Sequence, residues 1–201
     1  GALTVGDALF AFLRQQGIDR IFGNPGSTEL PMFVDLPEDF FAANLERHSS
    51  QLRLLHYPVP DEPFQPGQLR CGAHSDLGMT TILRNEEESG GLEVLTPDGD
   101  WLVAPAIPNT FIVNLGDLMM RWSNDRWRST QHRVAIPETD KWSQSRRLSF
   151  GFFVVPEYDA MVECVSNDGS PAKYPPITVR DYRTNRFAAG AGLQTTDKTL
   201  S

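Results

Sequence analysis

The chain has 201 residues, which fits one globular domain able to bury a core without disulfide or metal staples. Hydrophobic residues make up 40% and charged residues 22%, an ordinary soluble composition, and a net charge of −8 disfavours nucleic acid or an anionic membrane as a partner. No apolar run reaches membrane-spanning length, and the two cysteines, Cys71 and Cys164, make no disulfide framework, so a cytoplasmic, reducing setting is expected.

In chain order, the first element predicted is a helix. Thr4 is placed as its N-cap, Val5, Ala8, Leu9, Phe12 and Leu13 share one face, and Gly17 ends it. A strand over Ile18 to Phe22 and a turn at Gly23-Asn24-Pro25-Gly26 follow, with Ser27 as a second N-cap. This is the opening of an α/β unit, and a lone piece of that kind cannot bury its own faces.

After Phe40 the texture changes. Short apolar runs alternate with Gly, Pro, Asn and Asp: Leu52–Tyr57, Gln68–His74, Met79–Leu83, Leu92–Thr96, Trp101–Ala104, Phe111–Leu115, His132–Ala135, Leu148–Val155 and Met161–Val165. Closely spaced short strands predict a mainly β sandwich or barrel. Residues 189–201 are small and polar and are expected to form a flexible tail. The expected organisation is therefore an α/β fragment at 1–40, a β core at 41–188 and the tail.

Several residues carry chemistry in principle. On a strand, the i, i+2 spacing of His74 and Asp76 projects both side chains from one face, where one metal could take an imidazole and a carboxylate. His132 lies far enough along the chain to return on another strand. Two histidines and one carboxylate leave metal positions open, as Fe(II) oxygenases require. Read alone, though, a His-x-Asp is more often a solvated turn, and a single strand-start histidine more often structural. Arg147 and Ser149 form a second i, i+2 pair, able to grip a carboxylate through a guanidinium and a hydroxyl. Alternation with Leu148 and Phe150 puts Arg146 on the opposite face. Trp122 and Trp127 are expected to pack, His48 and His56 to be structural or solvated, and Asn114-Leu115-Gly116-Asp117 to form a structural turn.

Two resemblances add to this reading. The segments Thr4-Val5-Gly6-Asp7-Ala8-Leu9, Ile21-Phe22-Gly23-Asn24-Pro25-Gly26-Ser27 and Glu29-Leu30-Pro31 resemble the start of thiamine-diphosphate enzymes of the benzoylformate decarboxylase and acetolactate synthase type. That family's cofactor-activating glutamate is not matched, since Glu46 sits in Asn44-Leu45-Glu46-Arg47-His48, and its diphosphate-binding segment is missing. Thiamine chemistry is therefore not expected.

From Leu36-Pro37-Glu38-Asp39-Phe40-Phe41 onward the chain resembles isopenicillin N synthase-like Fe(II)- and 2-oxoglutarate-dependent oxygenases. The resemblance is carried by Gly72-Ala73-His74-Ser75-Asp76, Gly78-Met79-Thr80-Thr81-Ile82-Leu83, Asn114-Leu115-Gly116-Asp117, Ser129-Thr130-Gln131-His132-Arg133-Val134 and Arg146-Arg147-Leu148-Ser149. It implies a double-stranded β-helix (jelly-roll, cupin-like) core with flanking helices. It further implies Fe(II) on His74, Asp76 and His132, and 2-oxoglutarate held by Arg147 and Ser149 with Tyr57 nearby. O2 would be the oxidant and a small organic molecule the substrate, hydroxylated, desaturated or cyclised as succinate and CO2 form. A chimeric fragment that binds metal and co-substrate but turns over poorly is the alternative.

Overall fold

The computed structural model describes residues 39–59, 61–62, 64–65, 67–86, 90–136, 146–166, 169–197 and 199. The helix, strand and turn expected within the first 38 residues lie outside the described residues.

The chain divides into two compact units, of which one is made of Ser50–Asp117 and Ser129–Val154. Among its described residues, eight strands are formed: β1 (Gln51–Tyr57), β2 (Cys71–His74), β3 (Thr80–Asn85), β4 (Leu92–Leu95), β5 (Trp101–Val103), β6 (Ile112–Leu115), β7 (His132–Val134) and β8 (Arg147–Val154). They form two four-stranded sheets, in the orders β1-β8-β3-β6 and β2-β7-β4-β5, with every pairing antiparallel. Strands distant in sequence lie side by side, as a jelly roll requires. The mainly β expectation holds.

Register decides which residues meet. In the first sheet Gln51, Phe153, Thr81 and Asn114 form one row across all four strands. Two residues along, Arg53, Gly151, Leu83 and Ile112 form the next, then Leu55, Ser149 and Asn85, and finally Tyr57 opposite Arg147. Directly opposed residues point to the same face, so this face gathers Thr81, Asn85, Asn114, Arg147, Ser149 and Tyr57. The other face carries Leu52, Leu54, Val113, Phe150 and Phe152. All five are exposed, Leu52 and Leu54 to 64%.

The second unit comprises the described residues of Gly1–Ser49 with Leu118–Arg128 and Val155–Ser201. It contains helix α1 (Phe40–Asn44), most of α2 (Asp117–Trp122), a two-stranded sheet of β9 (Met161–Val162) and β10 (Ile177–Thr178), and α3 (Val179–Gly190). Thr178 caps α3, its hydroxyl accepting from the Asp181 amide at 3.1 Å. The apolar residues Leu118, Trp122, Trp127, Val162, Val179 and Tyr182 are buried, so both tryptophans serve packing. Among the described residues no helix is long and apolar enough to cross a membrane.

Within the stretch expected as a flexible tail, Asp197 is buried and pairs with the buried Arg121 at 3.1 Å. The Arg121 guanidinium also lies 4.5 Å from the Tyr174 ring and 5.1 Å from the Tyr182 ring. An ion pair closed off from water anchors the segment that carries it. Removing one partner of such a pair leaves an uncompensated buried charge, which costs about 3–5 kcal/mol. Asp197→Ala should lower the unfolding free energy in urea by roughly that amount, whereas a loose tail would leave the urea midpoint unchanged.

Candidate active site

The site is built where β2 ends. His74 and His132 are register partners on the adjacent strands β2 and β7, and their ring centroids are 4.4 Å apart. The expectation that Asp76 would share a strand with His74 is corrected here. β2 stops at His74, and Asp76 lies in the loop beyond it. A main-chain clamp holds that loop: the Asp117 amide donates to the Asp76 carbonyl at 2.8 Å, and the Gly116 amide to the Met79 carbonyl at 2.9 Å. The Asp76 carboxylate is thereby turned toward the histidines, with Oδ1 3.8 Å from Nε2 of His132. One ligand atom from each of His74, Asp76 and His132 lies within 4.8 Å of the others.

The tautomers follow from the hydrogen bonds. Nδ1 of His74 faces the Gly72 carbonyl at 2.8 Å and Nδ1 of His132 faces the Thr130 carbonyl at 3.1 Å. A ring whose Nδ1–H donates to a carbonyl keeps Nε2 free for a metal, the usual outer-sphere arrangement for histidine ligands. The Cys71 sulfur is 3.8 Å from the same Nδ1 of His74. That contact, helped by the Gly72 carbonyl, pushes His74 up to about 9 and draws the Cys71 thiol down. A metal arriving at this imidazole must displace its proton.

Asp76 is buried, at 7% exposure, and its second oxygen is fully engaged. Oδ2 accepts from the Thr81 hydroxyl at 2.6 Å and from the Asn114 side-chain amide at 2.8 Å. Asn114 was expected to serve only a structural turn; its neighbours Gly116 and Asp117 do so, but its own side chain reaches the carboxylate.

Further along the same face of the first sheet stand the other predicted residues. Arg147 and Ser149 are buried, at 2% and 1% exposure, while Arg146 is exposed and pairs with Glu86 at 3.1 Å. The Arg147 guanidinium donates to the Gly90 carbonyl at 2.9 Å and to Oδ1 of Asn85 at 2.7 Å. Burial lowers its pKa from the ordinary arginine value, yet the group stays cationic at neutral pH. Burial raises the Tyr57 phenol, with Arg147 opposing. Among the described residues, the Ser149 hydroxyl and the side-chain nitrogen of Asn85 are buried without a hydrogen-bond partner. Buried donors of this kind beside a guanidinium suit a carboxylate ligand. Asn85 had no signal in the sequence, because its role depends on lying opposite Ser149 across the sheet.

Two antiparallel sheets with a His, Asp, His cluster at one end and a buried arginine on the same inner surface define a non-haem metal oxygenase architecture. Residues 48–156, more than half of the chain, match the 2OG-Fe(II) oxygenase superfamily, and the chain belongs to that family. It is 39% identical over 168 residues to the 2-oxoglutarate-Fe(II) type oxidoreductase hxnY of Emericella nidulans, a match spanning 81% of this chain and 46% of that protein. It is 38% identical over 163 residues to the proline hydroxylase buaE of Petromyces alliaceus, spanning 77% of this chain and 51% of that one. Among solved structures, a full-length Neurospora crassa protein in complex with alpha-KG and thymine superimposes with a TM-score of 0.72 at 32% identity, covering 92% of this chain and 57% of that chain. The chain thus spans about half the length of the curated relatives it matches.

Gly116 offers a direct test of the clamp behind Asp76. A Cβ there would meet the Gly78 carbonyl oxygen at 2.3 Å and the Asp76 carbonyl oxygen at 2.8 Å. Both are backbone atoms and cannot swing aside. Gly116→Ala should therefore destabilise the protein by about 1–3 kcal/mol, the usual cost of overpacking, and weaken metal binding in the folded fraction. Unchanged thermal stability would mean that the loop is not clamped.

Proposed function

We propose that the chain is the catalytic core of an Fe(II)- and 2-oxoglutarate-dependent oxygenase acting on a small organic substrate. The observation that carries this reading is the convergence of His74, Asp76 and His132, each with a ligand atom available. The donor set fits Fe(II): two imidazoles that present Nε2, that of His74 on loss of its proton, and one carboxylate, leaving positions for a co-substrate and O2. When bound, the metal with 2-oxoglutarate and O2 supplies the oxidising power, yielding succinate, CO2 and the oxidised product.

The chain's own residues bind and orient. His74 and His132 are held in register by β2 and β7, and Asp76 by the clamp at Gly116 and Asp117. Arg147, fixed by Asn85 and Gly90, takes the remote carboxylate of 2-oxoglutarate, and Ser149 donates its free hydroxyl to the same group. Tyr57, register partner of Arg147, stands beside it on the same face.

The finer assignments belong to the same proposal. The order of the motif blocks supports the isopenicillin N synthase-like branch, and the names of the relatives support a small-molecule substrate. The two free thiols, Cys71 and Cys164, fit a cytoplasmic setting. Residues 1–40 are read as a fragment resembling the start of a thiamine-diphosphate enzyme, without that family's diphosphate-binding segment. Calorimetry should then detect no saturable binding of thiamine diphosphate.

Succinate release with Fe(II), 2-oxoglutarate and O2 tests the activity. Arg147→Ala should raise the 2-oxoglutarate requirement at least tenfold, since a buried carboxylate loses its charged partner, worth more than about 1.4 kcal/mol. Arg146→Ala, which breaks only an exposed pair, should change it less than twofold. Equal effects would overturn the assignment of the co-substrate site.

A further inference from the structure

We propose that Thr81 and Asn114 are positioning residues that set how Asp76 presents itself to a metal, an inference that rests on the metal site proposed above. Both donate to one oxygen, Oδ2, at 2.6 and 2.8 Å, and Oδ1 is the oxygen that faces Nε2 of His132. A carboxylate free to rotate could offer either oxygen or both. Here one oxygen carries two protein hydrogen bonds, so only Oδ1 is left for the ion, and the ligand is one-toothed by construction.

The arrangement is unusually well fixed. Thr81 and Asn114 are register partners on β3 and β6, so the two donors stand side by side on the inner face of the sheet. Thr81 is buried at 3% exposure, and water cannot readily replace its hydroxyl. Beside it, the Thr80 hydroxyl donates to the Asn114 carbonyl at 2.9 Å, which ties the same two strands from the other face. The sheet that does not carry the histidines thus aims the carboxylate ligand at them. Two donors on Oδ2 also draw charge from the carboxylate, so Asp76 becomes a weaker donor than a free aspartate but a better oriented one.

The test is anaerobic titration of the full chain with Co(II), followed by the visible absorption of the bound ion, with metal-free thermal unfolding as the control for folding. Thr81→Val keeps the shape and removes one donor; Asn114→Leu removes the other. Each should weaken Co(II) binding by about 10–100-fold, the range typical for lost outer-sphere partners, and shift the absorption spectrum as Asp76 changes its mode of binding. Thr81→Ser, which retains the hydroxyl, should restore both affinity and spectrum. Parent-like affinity and spectrum in a folded Thr81→Val or Asn114→Leu protein would overturn the proposal. So would a Thr81→Ser protein as impaired as Thr81→Val, since packing would then be the cause. The two substitutions delete different donors to one oxygen, so either suffices if the other prevents folding. Asp76→Ala separates this from the underlying reading: if it binds Co(II) like the parent, the metal site itself is wrong.

Discussion

A buried carboxylate is the constraint on which the rest of this structure depends. Placing an ionised aspartate at 7% exposure is costly unless its oxygens are satisfied. Asp76 meets that demand from strands of one sheet, through Thr81 and Asn114, although it follows directly from a strand of the other. Its backbone is held as firmly as its side chain, by the amide of Asp117. The position of the carboxylate is therefore fixed by β2, β3, β6 and the turn into α2 together. A change in β3, β6 or the turn into α2 would reach the proposed metal ligands through this one residue.

The same economy appears on β8. Strict alternation buries Arg147 and Ser149 while Phe150 and Phe152 face outward and remain exposed. An arginine placed among inward strand residues, with two large aromatic residues left outside, is the reverse of what hydrophobic burial alone would select. A binding role for the inner face accounts for that inversion. Asn85 contributes at both levels, since its oxygen steadies the guanidinium and its nitrogen is left available.

Much of this was legible in the sequence. Each of the nine apolar runs after Phe40 overlaps a strand of the structure, because period-two alternation and turn residues act locally. The inward choice of Arg147 over Arg146 followed from the same alternation. Other features were not local. The i, i+2 spacing allows Asp76 to share a strand with His74; the loop that actually carries it is set by hydrogen bonds to residues about 40 positions away. Asn114 read as part of a turn, and nothing in its neighbourhood marks a side chain that reaches Asp76. Helix α3 was not anticipated, although Thr178 and Asp181 stand at capping positions, since the segment lacks a strong apolar stripe. The burial of Asp197 depends on Arg121, far away in sequence, and a polar composition could not reveal it.

Charge balance links the two halves of the proposed site. A divalent ion on two neutral imidazoles and one carboxylate leaves a single positive charge at the metal. A dianionic co-substrate more than cancels it, and the guanidinium of Arg147 restores neutrality. Each of these charges would be expensive to bury alone, and Arg147 is almost fully buried already, with neutral oxygens of Asn85 and Gly90 holding its donors. In the proposed site a dicarboxylate held by the metal ligands and Arg147 would complete that balance. Tyr57 and Ser149 add neutral polarity without disturbing that sum. The proposed metal ligands and the arginine are on this account one electrostatic unit, joined through β3, whose Thr81 holds Asp76 and whose Asn85 holds Arg147.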